Sequence, residues 1–435
     1  MTGALKGIRI LDLTRVWSGP LAGRILADLG AEVIQVSGRV TVPRADYPPE
    51  VAKILAVFPD NEPGERPWNR TSANNDFHRN KLGITLELNT PEGVELFKRF
   101  VKISDVVLEN YSPRVMPNFG LDYPSLSQIN PAIILCSMPG YGSTGPYRDW
   151  VSYGTNLDPA SGLASLMGYP GEEAHMSGNA YPDPIAALHA AGAILTALFH
   201  QRRTGKGQFI DLSQAESATS LIGEAVLGYT LNGKIPPRLG NRHPSQAPHG
   251  CYKCEGEDKW VAIAVSTDEE WAALCHVMES PELIDDQRFA DSAGRCENQD
   301  AIDERIEAWT SQRPHHEAMR LLQEAGVPAG AVLDAAELFA NEHLSERDFF
   351  WEIDHPEVGL RKYVALPMKF SKTPVQKTAW ESITNMFSQK SWGFPKMRSP
   401  SSNKRALSAT SQLIREIAST IAAFEFKERS RNGLY

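Results

Sequence analysis

GIRILDLTRVWSGPLAGRILADLGAEVIQV, residues 7–36, decides the fold class of this chain. Residues 7–13 are rich in Ile and Leu and predict a strand. A helix follows, ended by Gly30, and residues 32–36 predict a second strand. A strand–helix–strand unit of this kind belongs to a parallel sheet. No G-x-G-x-x-G lies between the first strand and its helix, so the sequence does not support a nicotinamide cofactor.

Strands and helices continue to alternate up to about residue 140, which predicts an open, Rossmann-like α/β sheet. Pro and Gly then crowd residues 234–250 and indicate a domain boundary. We therefore predict a large domain, a smaller α+β domain with its linker, and a return to the large domain followed by an atypical tail, over residues 1–225, 226–330 and 331–435.

Composition narrows the function classes. The chain has 435 residues, a formal net charge of −9 and five cysteines, an odd and sparse set. The negative charge argues against nucleic acid as a partner, and the cysteine usage is typical of a reducing compartment. We find no apolar run of membrane-span length and no signal-peptide core, so we expect a cytoplasmic protein without a membrane partner.

A second informative stretch is NAYPDPIAALHAAGAILTALFHQRRTGKGQ, residues 179–208. We predict a helix with Asp183 as its N-cap and Pro184 at its first position, ended by Gly205 after two basic residues. Asp183 either caps the helix only or also serves as a nucleophile, since the helix dipole favours an ionised carboxylate. The predicted apolar stripe consists of Ile185, Leu188, Leu195, Leu198 and Phe199.

Metal and hydrolase chemistry find little support in the sequence. A single C-x-x-C follows two histidines, which is a weak zinc pattern and equally fits a strand entering the small domain; its members are His243, His249, Cys251 and Cys254. The chain has neither a G-x-S-x-G pentapeptide nor a Walker A loop. We expect no bound metal.

Loops at the carboxyl ends of parallel strands are the usual ligand sites of open α/β sheets. The loops predicted here carry aromatic, amide and basic residues that suit a phosphorylated nucleotide, although each alone fits an ordinary loop. They are Val16, Trp17, Ser18, Arg39, Asn110, Tyr111, Pro139, Gly140 and Tyr141, with Lys81 just ahead of its own strand.

Several ordered motifs resemble family III CoA-transferases, which include formyl-CoA:oxalate and carnitine CoA-transferases and the related α-methylacyl-CoA racemases. The resemblance spans about residues 4–375. It rests on LKGIRILDLTRVWSGPLAGRILADLGAEVIQV, Arg79-Asn80-Lys81, the TPEG helix start, DVVLEN and RRTGKGQ.

The resemblance implies that Asp183, which lies 21 residues before Thr204 of T-G-K-G-Q, is the nucleophile. It would form mixed anhydrides and an aspartyl-CoA thioester, without ATP, metal or a permanent cofactor; coenzyme A and acyl-CoA are substrates. The family also implies an interlocked homodimer. The CoA contacts carried over are Val16, Trp17, Ser18, Arg39, Lys81, Asn110, Tyr111 and Tyr141.

Some positions depart from the family pattern. Asn118 replaces a basic residue for which Arg114 is a substitute, and the glycine-rich covering loop has no match, which leaves residues 241–250 for that role. Tyr153 stands where racemases carry a His, which argues against a racemase because α-proton exchange needs an acid and a base. A non-catalytic partner subunit is a further alternative, but such a subunit is expected to lack Asp183.

The acid substrate is open. Four apolar or aromatic residues suggest an arylsuccinate or a branched dicarboxylate, although each is equally compatible with a core position: Trp17, Met138, Tyr153 and Leu157.

Overall fold

The structure is a computed structural model that describes residues 3–38, 57–375, 377–378 and 381–382. The sequence also predicts helices at residues 50–56 and 407–424; these two segments and Arg39 lie outside the described residues. The chain divides into a large unit and a small unit. The large unit comprises Met1–Ser161, Asn179–Leu221 and Asp348–Tyr435, and the small unit comprises Gly162–Gly178 and Ile222–Arg347. The return to the large unit thus begins at Asp348, whereas the sequence placed it at residue 331.

The strands are short, and β1 and β2 lie at the positions predicted for the first two strands. They are β1 (Arg9–Asp12), β2 (Glu32–Ser37), β3 (Lys81–Thr85), β4 (Val106–Glu109), β5 (Ile134–Ser137), β6 (Phe209–Asp211), β7 (His249–Lys253), β8 (Trp260–Ala264), β9 (Ala329–Ala331), β10 (Phe350–His355), β11 (Gly359–Val364) and β12 (Glu381–Ser382).

The helices range from one turn to 23 residues. They are α1 (Ser18–Asp28), α2 (Ser72–His78), α3 (Pro91–Val101), α4 (Val115–Asn118), α5 (Tyr123–Ile129), α6 (Gly154–Ala160), α7 (Leu163–Leu166), α8 (Pro182–Thr204), α9 (Gln214–Thr219), α10 (Gly223–Asn232), α11 (Asp268–Val277), α12 (Ser292–Glu297), α13 (Gln299–Thr310), α14 (His315–Glu324), α15 (Ala335–Ala340) and α16 (Glu342–Glu346).

The predicted parallel sheet is confirmed. Seven parallel strands follow the order β12-β3-β2-β1-β4-β5-β6, so β1 lies at the centre and pairs with both β2 and β4. Ile10 and Leu11 of β1 are fully buried on opposite faces of the sheet, as expected for a strand covered by helices on both sides. In the small unit, β7, β8 and β9 form an antiparallel sheet that packs against helices, in agreement with the predicted α+β domain.

Helix α8 packs against α1 through small side chains, which corrects the predicted apolar stripe. Its buried face carries mainly alanines with Ile194 and Leu198, whereas Leu188, Leu195 and Phe199 are exposed. Alanine lets two helices approach closely, so the interface favours the small residues over the large ones. These residues join the core on one face of the sheet.

Both ends of α8 follow from local chemistry. The helix begins at Pro182 with Tyr181 in the N-cap position, so Asp183 lies in the first turn rather than at the cap. Proline at the first helical position lacks only an N–H that the helix does not use. Gly205 ends the helix in the left-handed conformation, as predicted, at φ 71°.

Helix α8 is also long and apolar enough to cross a bilayer by length and composition alone, although the sequence predicted no membrane span. Of the 18-residue segment of α8 that meets this criterion, 50% is buried inside the protein. The alanine face of α8 packs against α1, as expected for a core helix in a globular domain.

Two ion pairs without solvent exposure lie between α1 and the neighbouring strands and loops. Lys81 Nζ donates to Asp12 Oδ2 and to the Pro20 carbonyl, both at 2.8 Å. Arg79 Nη2 donates to Asp28 Oδ2 at 2.8 Å. Lys81 in β3 thus connects the end of β1 to the first turn of α1, and Arg79, just before β3, binds the last residue of α1.

We expect Lys81→Met to destabilise the protein by about 3–5 kcal/mol, because it leaves the Asp12 carboxylate buried without a cation. Exposed Lys102, with Lys102→Met, is the control and should change stability by less than about 0.5 kcal/mol. Thermal and urea unfolding measure the difference. Unchanged stability of the Lys81 variant would contradict a structural role for this lysine.

Candidate active site

A pocket of about 210 Å³ opens in the large unit, and its lining follows the carboxyl ends of the central strands β1, β4 and β5. This is the position at which open α/β sheets bind ligands. The lining residues are Arg15, Val16, Ser18, Asn110, Tyr111, Ser112, Pro113, Pro139, Gly140, Arg148, Trp150, Val151, Ser152, Tyr153, Gly154, Leu157, Asp183 and Gln214.

Asp183 enters this pocket from the first turn of α8. Only 6% of the residue is exposed, and the backbone N–H of Ser18 donates to its Oδ1 at 3.1 Å. Burial raises the pKa of Asp183, while hydrogen bonds from the Ser18 amide and hydroxyl act in the opposite direction. Ser18 opens α1, so two helix N-termini meet at this carboxylate and favour its charged form.

The loop that supplies the Ser18 amide is held by Asn110. Asn110 Oδ1 accepts the Arg15 N–H at 2.8 Å, and its Nδ2 donates to the Arg15 carbonyl at 2.8 Å and to Ser18 Oγ at 3.3 Å. Between them, Val16 has φ 70°, a conformation that a β-branched residue rarely adopts. Strain of this kind persists where neighbouring contacts enforce it. Asn110, the residue directly after β4, therefore fixes the loop that binds Asp183.

Gly154, the first residue of α6, lies directly against the nucleophile candidate. A Cβ on Gly154 would lie 1.7 Å from Asp183 Oδ2 and 2.8 Å from the Ala180 Cβ. Gly140 is similarly close to Ser152, with 1.8 Å from an added Cβ to Ser152 Oγ. The backbone thus forms the walls beside Asp183, and glycine is required for that close approach.

The structure brings together four of the residues predicted to contact CoA, and they line the pocket with Asp183: Val16, Ser18, Asn110 and Tyr111. Trp17 is partly buried and stacks on Phe77 at 6.0 Å between ring centroids. Tyr141 contacts the rings of Tyr147 and Trp150 edge-on. Lys81 is buried against Asp12, away from the pocket lining.

Two of the four residues suggested to contact the acid substrate line the pocket, and two do not. Tyr153 and Leu157 line the pocket, whereas Met138 is fully buried and Trp17 is not part of the lining. Arg114 is exposed and also outside the lining. Sequence reasoning missed Arg15, Arg148, Trp150, Ser152, Gly154 and Gln214 as lining residues, although Arg15 lies in the loop after β1, where the strand-end rule applies.

Glu109 ends β4 and is a second buried carboxylate, next in sequence to the lining residue Asn110. It is 2% exposed and accepts the Tyr111 N–H at 2.7 Å. Burial raises its pKa to about 7, partly offset by hydrogen bonds from Ser137 and Tyr111. Glu109 does not line the pocket, so its contacts position the loop that carries Asn110 and Tyr111.

The structure offers no support for zinc at the C-x-x-C segment. The His243 and His249 rings lie 5.5 Å apart, but His249 Nδ1 contacts the Asn241 carbonyl and buried Cys254 contacts the Tyr252 carbonyl. Within the described residues, a group of three ligating side chains occurs instead at His315, His316 and Glu337. There Lys259 Nζ already donates to Glu337 Oε1 at 2.9 Å, so an ion would compete with that cation.

Comparison with known proteins defines the class of this chain. The model for CoA-transferase family III matches residues 5–382, and the chain belongs to that family. Succinyl-CoA–D-citramalate CoA-transferase of Chloroflexus aurantiacus is 33% identical over 371 residues, 85% of this chain and 88% of that protein. The alpha subunit of the succinyl-CoA–L-malate CoA-transferase of Chloroflexus aurantiacus is 33% identical over 376 residues, 86% of this chain and 84% of that subunit.

A solved structure agrees with this assignment. A CaiB/BaiF family protein from Brucella suis superposes with a TM-score of 0.77 at 30% identity, covering 95% of this chain and all of that one. The resemblance inferred from the motifs is therefore confirmed, and the protein is an enzyme of the CoA-transferase type.

We expect Gly154→Ala to reduce CoA transfer by about 100-fold, because the new Cβ displaces the Asp183 carboxylate and catalysis is that sensitive to misplacement of about 1 Å. Gly228→Ala on α10 is the control, since nothing lies within 4 Å of its added Cβ. Initial rates with matched thermal unfolding curves make the comparison. Equal rates in both variants would show that Gly154 does not constrain Asp183.

We also expect Glu109 to make stability depend on pH. Its folded-state pKa of about 7 exceeds the ordinary glutamate pKa of 4.5, so its contribution is fully present below pH 4.5 and is lost as the pH rises through 7. That loss amounts to at most about 3 kcal/mol. Glu109→Gln cannot ionise and should become more stable relative to wild type between pH 5 and pH 8.

Thermal unfolding at several pH values measures this difference, with Glu95→Gln on the exposed face of α3 as the control. A difference between Glu109→Gln and wild type that stays constant with pH would contradict the shifted titration.

Proposed function

We propose that the enzyme transfers CoA from an acyl-CoA donor to a carboxylic acid by covalent catalysis on Asp183. The supporting observation is the position of Asp183: its carboxylate lies in the pocket, holds the Ser18 N–H and is flanked by a glycine backbone. Hydrogen bonding and two helix N-termini favour the ionised carboxylate that attack requires.

In the proposed sequence, an Asp183 oxygen attacks the donor thioester carbonyl, the C–S bond breaks and CoA leaves as a thiolate. The thiolate attacks the Asp183 carbonyl of the resulting mixed anhydride and releases the donor acid as a carboxylate. The acceptor carboxylate then attacks the aspartyl-CoA thioester, and the same two steps run in reverse. Thioester bonds are exchanged one for one, so the proposal needs no ATP, metal or permanent cofactor.

We propose succinyl-CoA as the donor and a small carboxylic acid as the acceptor. Two relatives, each 33% identical, are named for succinyl-CoA together with D-citramalate or L-malate. A pocket of about 210 Å³ suits a small acid, since pockets for drug-sized ligands measure about 300–1,000 Å³.

A racemase of the same superfamily is the first alternative. Tyr153, at the position of the racemase His, is an exposed residue of the pocket lining. Deuterium exchange at the α-carbon of a chiral 2-methylacyl-CoA, without CoA transfer, would favour this alternative. A non-catalytic subunit is the second, and the alpha-subunit relative keeps it open. CoA transfer by the purified chain alone would exclude it.

We further propose a cytoplasmic homodimer, interlocked as in other family members, with no membrane or nucleic-acid partner. The exposed apolar side chains of α8, Leu188, Leu195 and Phe199, support an interface between two chains. The free state of all five cysteines supports a reducing compartment. Light scattering of the purified protein should give twice the chain mass of 48.0 kDa.

We expect Asp183→Asn to reduce CoA transfer by at least about 10³-fold while CoA still binds, because an amide cannot form the anhydride. Wild-type protein incubated with succinyl-CoA and then hydroxylamine should carry a hydroxamate on the peptide that contains Asp183. The variant should carry none, and its binding of CoA shows that the site remains folded. Transfer that persists in the variant, or modification at another residue, would contradict the proposed nucleophile.

A further inference from the structure

In the part of the chain that the structure describes, the charged side chains that line the pocket are one carboxylate and two guanidinium groups. Among the described lining residues, the acidic side chain is Asp183 and the basic ones are Arg15 and Arg148. If Asp183 performs the covalent chemistry, its charge disappears whenever it forms an anhydride or a thioester. Both arginines then face the pocket without a protein carboxylate in its lining.

Arg15 is committed to the backbone. Its Nη1 donates to the Leu13 and Thr14 carbonyls at 3.0 and 2.8 Å, and its Nη2 donates to the Val36 carbonyl at 3.0 Å. The guanidinium also lies over the Tyr111 ring at 5.9 Å. Arg15 therefore holds the loop between β1 and α1 in place and has little capacity left for a substrate.

Arg148 differs from Arg15 because its side chain is partly exposed to solvent. Its side chain is 48% exposed, and its Nε lies 3.8 Å from Oδ2 of Asp149, which is itself 60% exposed. An exposed pair at that distance contributes little, so the guanidinium fork is available to a ligand. No closer ion pair of this side chain occurs within the described part of the chain.

Aromatic stacking holds the segment that carries Arg148. The rings of Tyr147 and Trp150 stack at 3.9 Å between centroids and 23° between planes, and Tyr141 meets both edge-on at 5.8 and 6.0 Å. Such ring contacts contribute about 0.5–1.5 kcal/mol each beyond burial. They fix the backbone on both sides of Arg148 at the pocket.

We propose that Arg148 binds the non-reacting carboxylate of a dicarboxylic acid and so selects dicarboxylic over monocarboxylic substrates. This inference rests on the proposed covalent function. One carboxylate of the acid reacts at Asp183 and loses its charge in the anhydride, while the other stays ionised inside the same small pocket. Burying that charge is costly unless it is paired, and a guanidinium pairs with a carboxylate through two parallel hydrogen bonds.

Succinate and butyrate test the proposal as matched probes, because they share a four-carbon chain and differ in one carboxylate. The assay follows exchange of isotope-labelled succinate into succinyl-CoA and of labelled butyrate into butyryl-CoA. We expect Arg148→Ala to lower kcat/KM for succinate exchange by about 10-fold, the loss expected for charge-assisted hydrogen bonds at a partly exposed side chain. Butyrate exchange should be nearly unchanged, and Arg148→Lys should recover part of the loss.

Arg320→Ala in the small unit is the control, since that exposed arginine pairs with Glu324 on its own helix and should affect neither acid. Equal losses for succinate and butyrate in Arg148→Ala would overturn the proposal and indicate a contact with CoA phosphates or a structural role. Unchanged succinate exchange would also overturn it. If the wild-type enzyme exchanges neither succinate nor butyrate, that result would instead contradict the proposed function itself.

Discussion

One hydrogen bond connects the fold to the chemistry of this enzyme: the Ser18 amide donates to Asp183 Oδ1 across 165 positions of sequence. It joins the N-terminus of α1 to the first turn of α8, and it exists only because these two helices pack closely. The alanine face of α8 makes that approach possible, since larger side chains there would separate the helices. Packing between α1 and α8 therefore also determines where the Asp183 carboxylate lies.

The position of α1 in turn depends on charges that never reach solvent. Lys81 is bound to Asp12 at the end of β1 and to the Pro20 carbonyl in the first turn of α1, and Arg79 is bound to Asp28 in the last turn. Burial lowers the pKa of Lys81, with Asp12 acting in the opposite direction. Breaking such a pair leaves an uncompensated charge, so each pair favours one arrangement of strand and helix over its alternatives. Because Lys81 is engaged in these buried contacts, it is poorly placed for the CoA contact that the family resemblance implied.

The sequence predicted the parts of the fold that depend on local chemistry. The strand–helix–strand unit, the Thr90 cap of α3 and the Gly205 end of α8 each follow from residues within a few positions. The predicted apolar stripe of α8 was right for Leu198 and wrong for Leu188, Leu195 and Phe199, because hydrophobicity favours Leu and Phe whereas packing against α1 favours alanine. Asp183 was found by motif spacing, whereas the close approach of Gly154 to Asp183 depends on a contact between residues far apart in sequence. No periodicity or motif in the segment around Gly154 indicates that contact.

Asp183 and Glu109 show how the fold gives two buried carboxylates different roles. Burial raises the pKa of both groups. Asp183 opens to the pocket and receives an amide at a helix N-terminus, so its anion is stabilised where a thioester can reach it. Glu109 ends a central strand, is closed to the pocket and has a pKa of about 7, so it is partly protonated at neutral pH. The nucleophilic role proposed for Asp183 requires a carboxylate that a substrate can reach, and Asp183 lines the pocket whereas Glu109 does not.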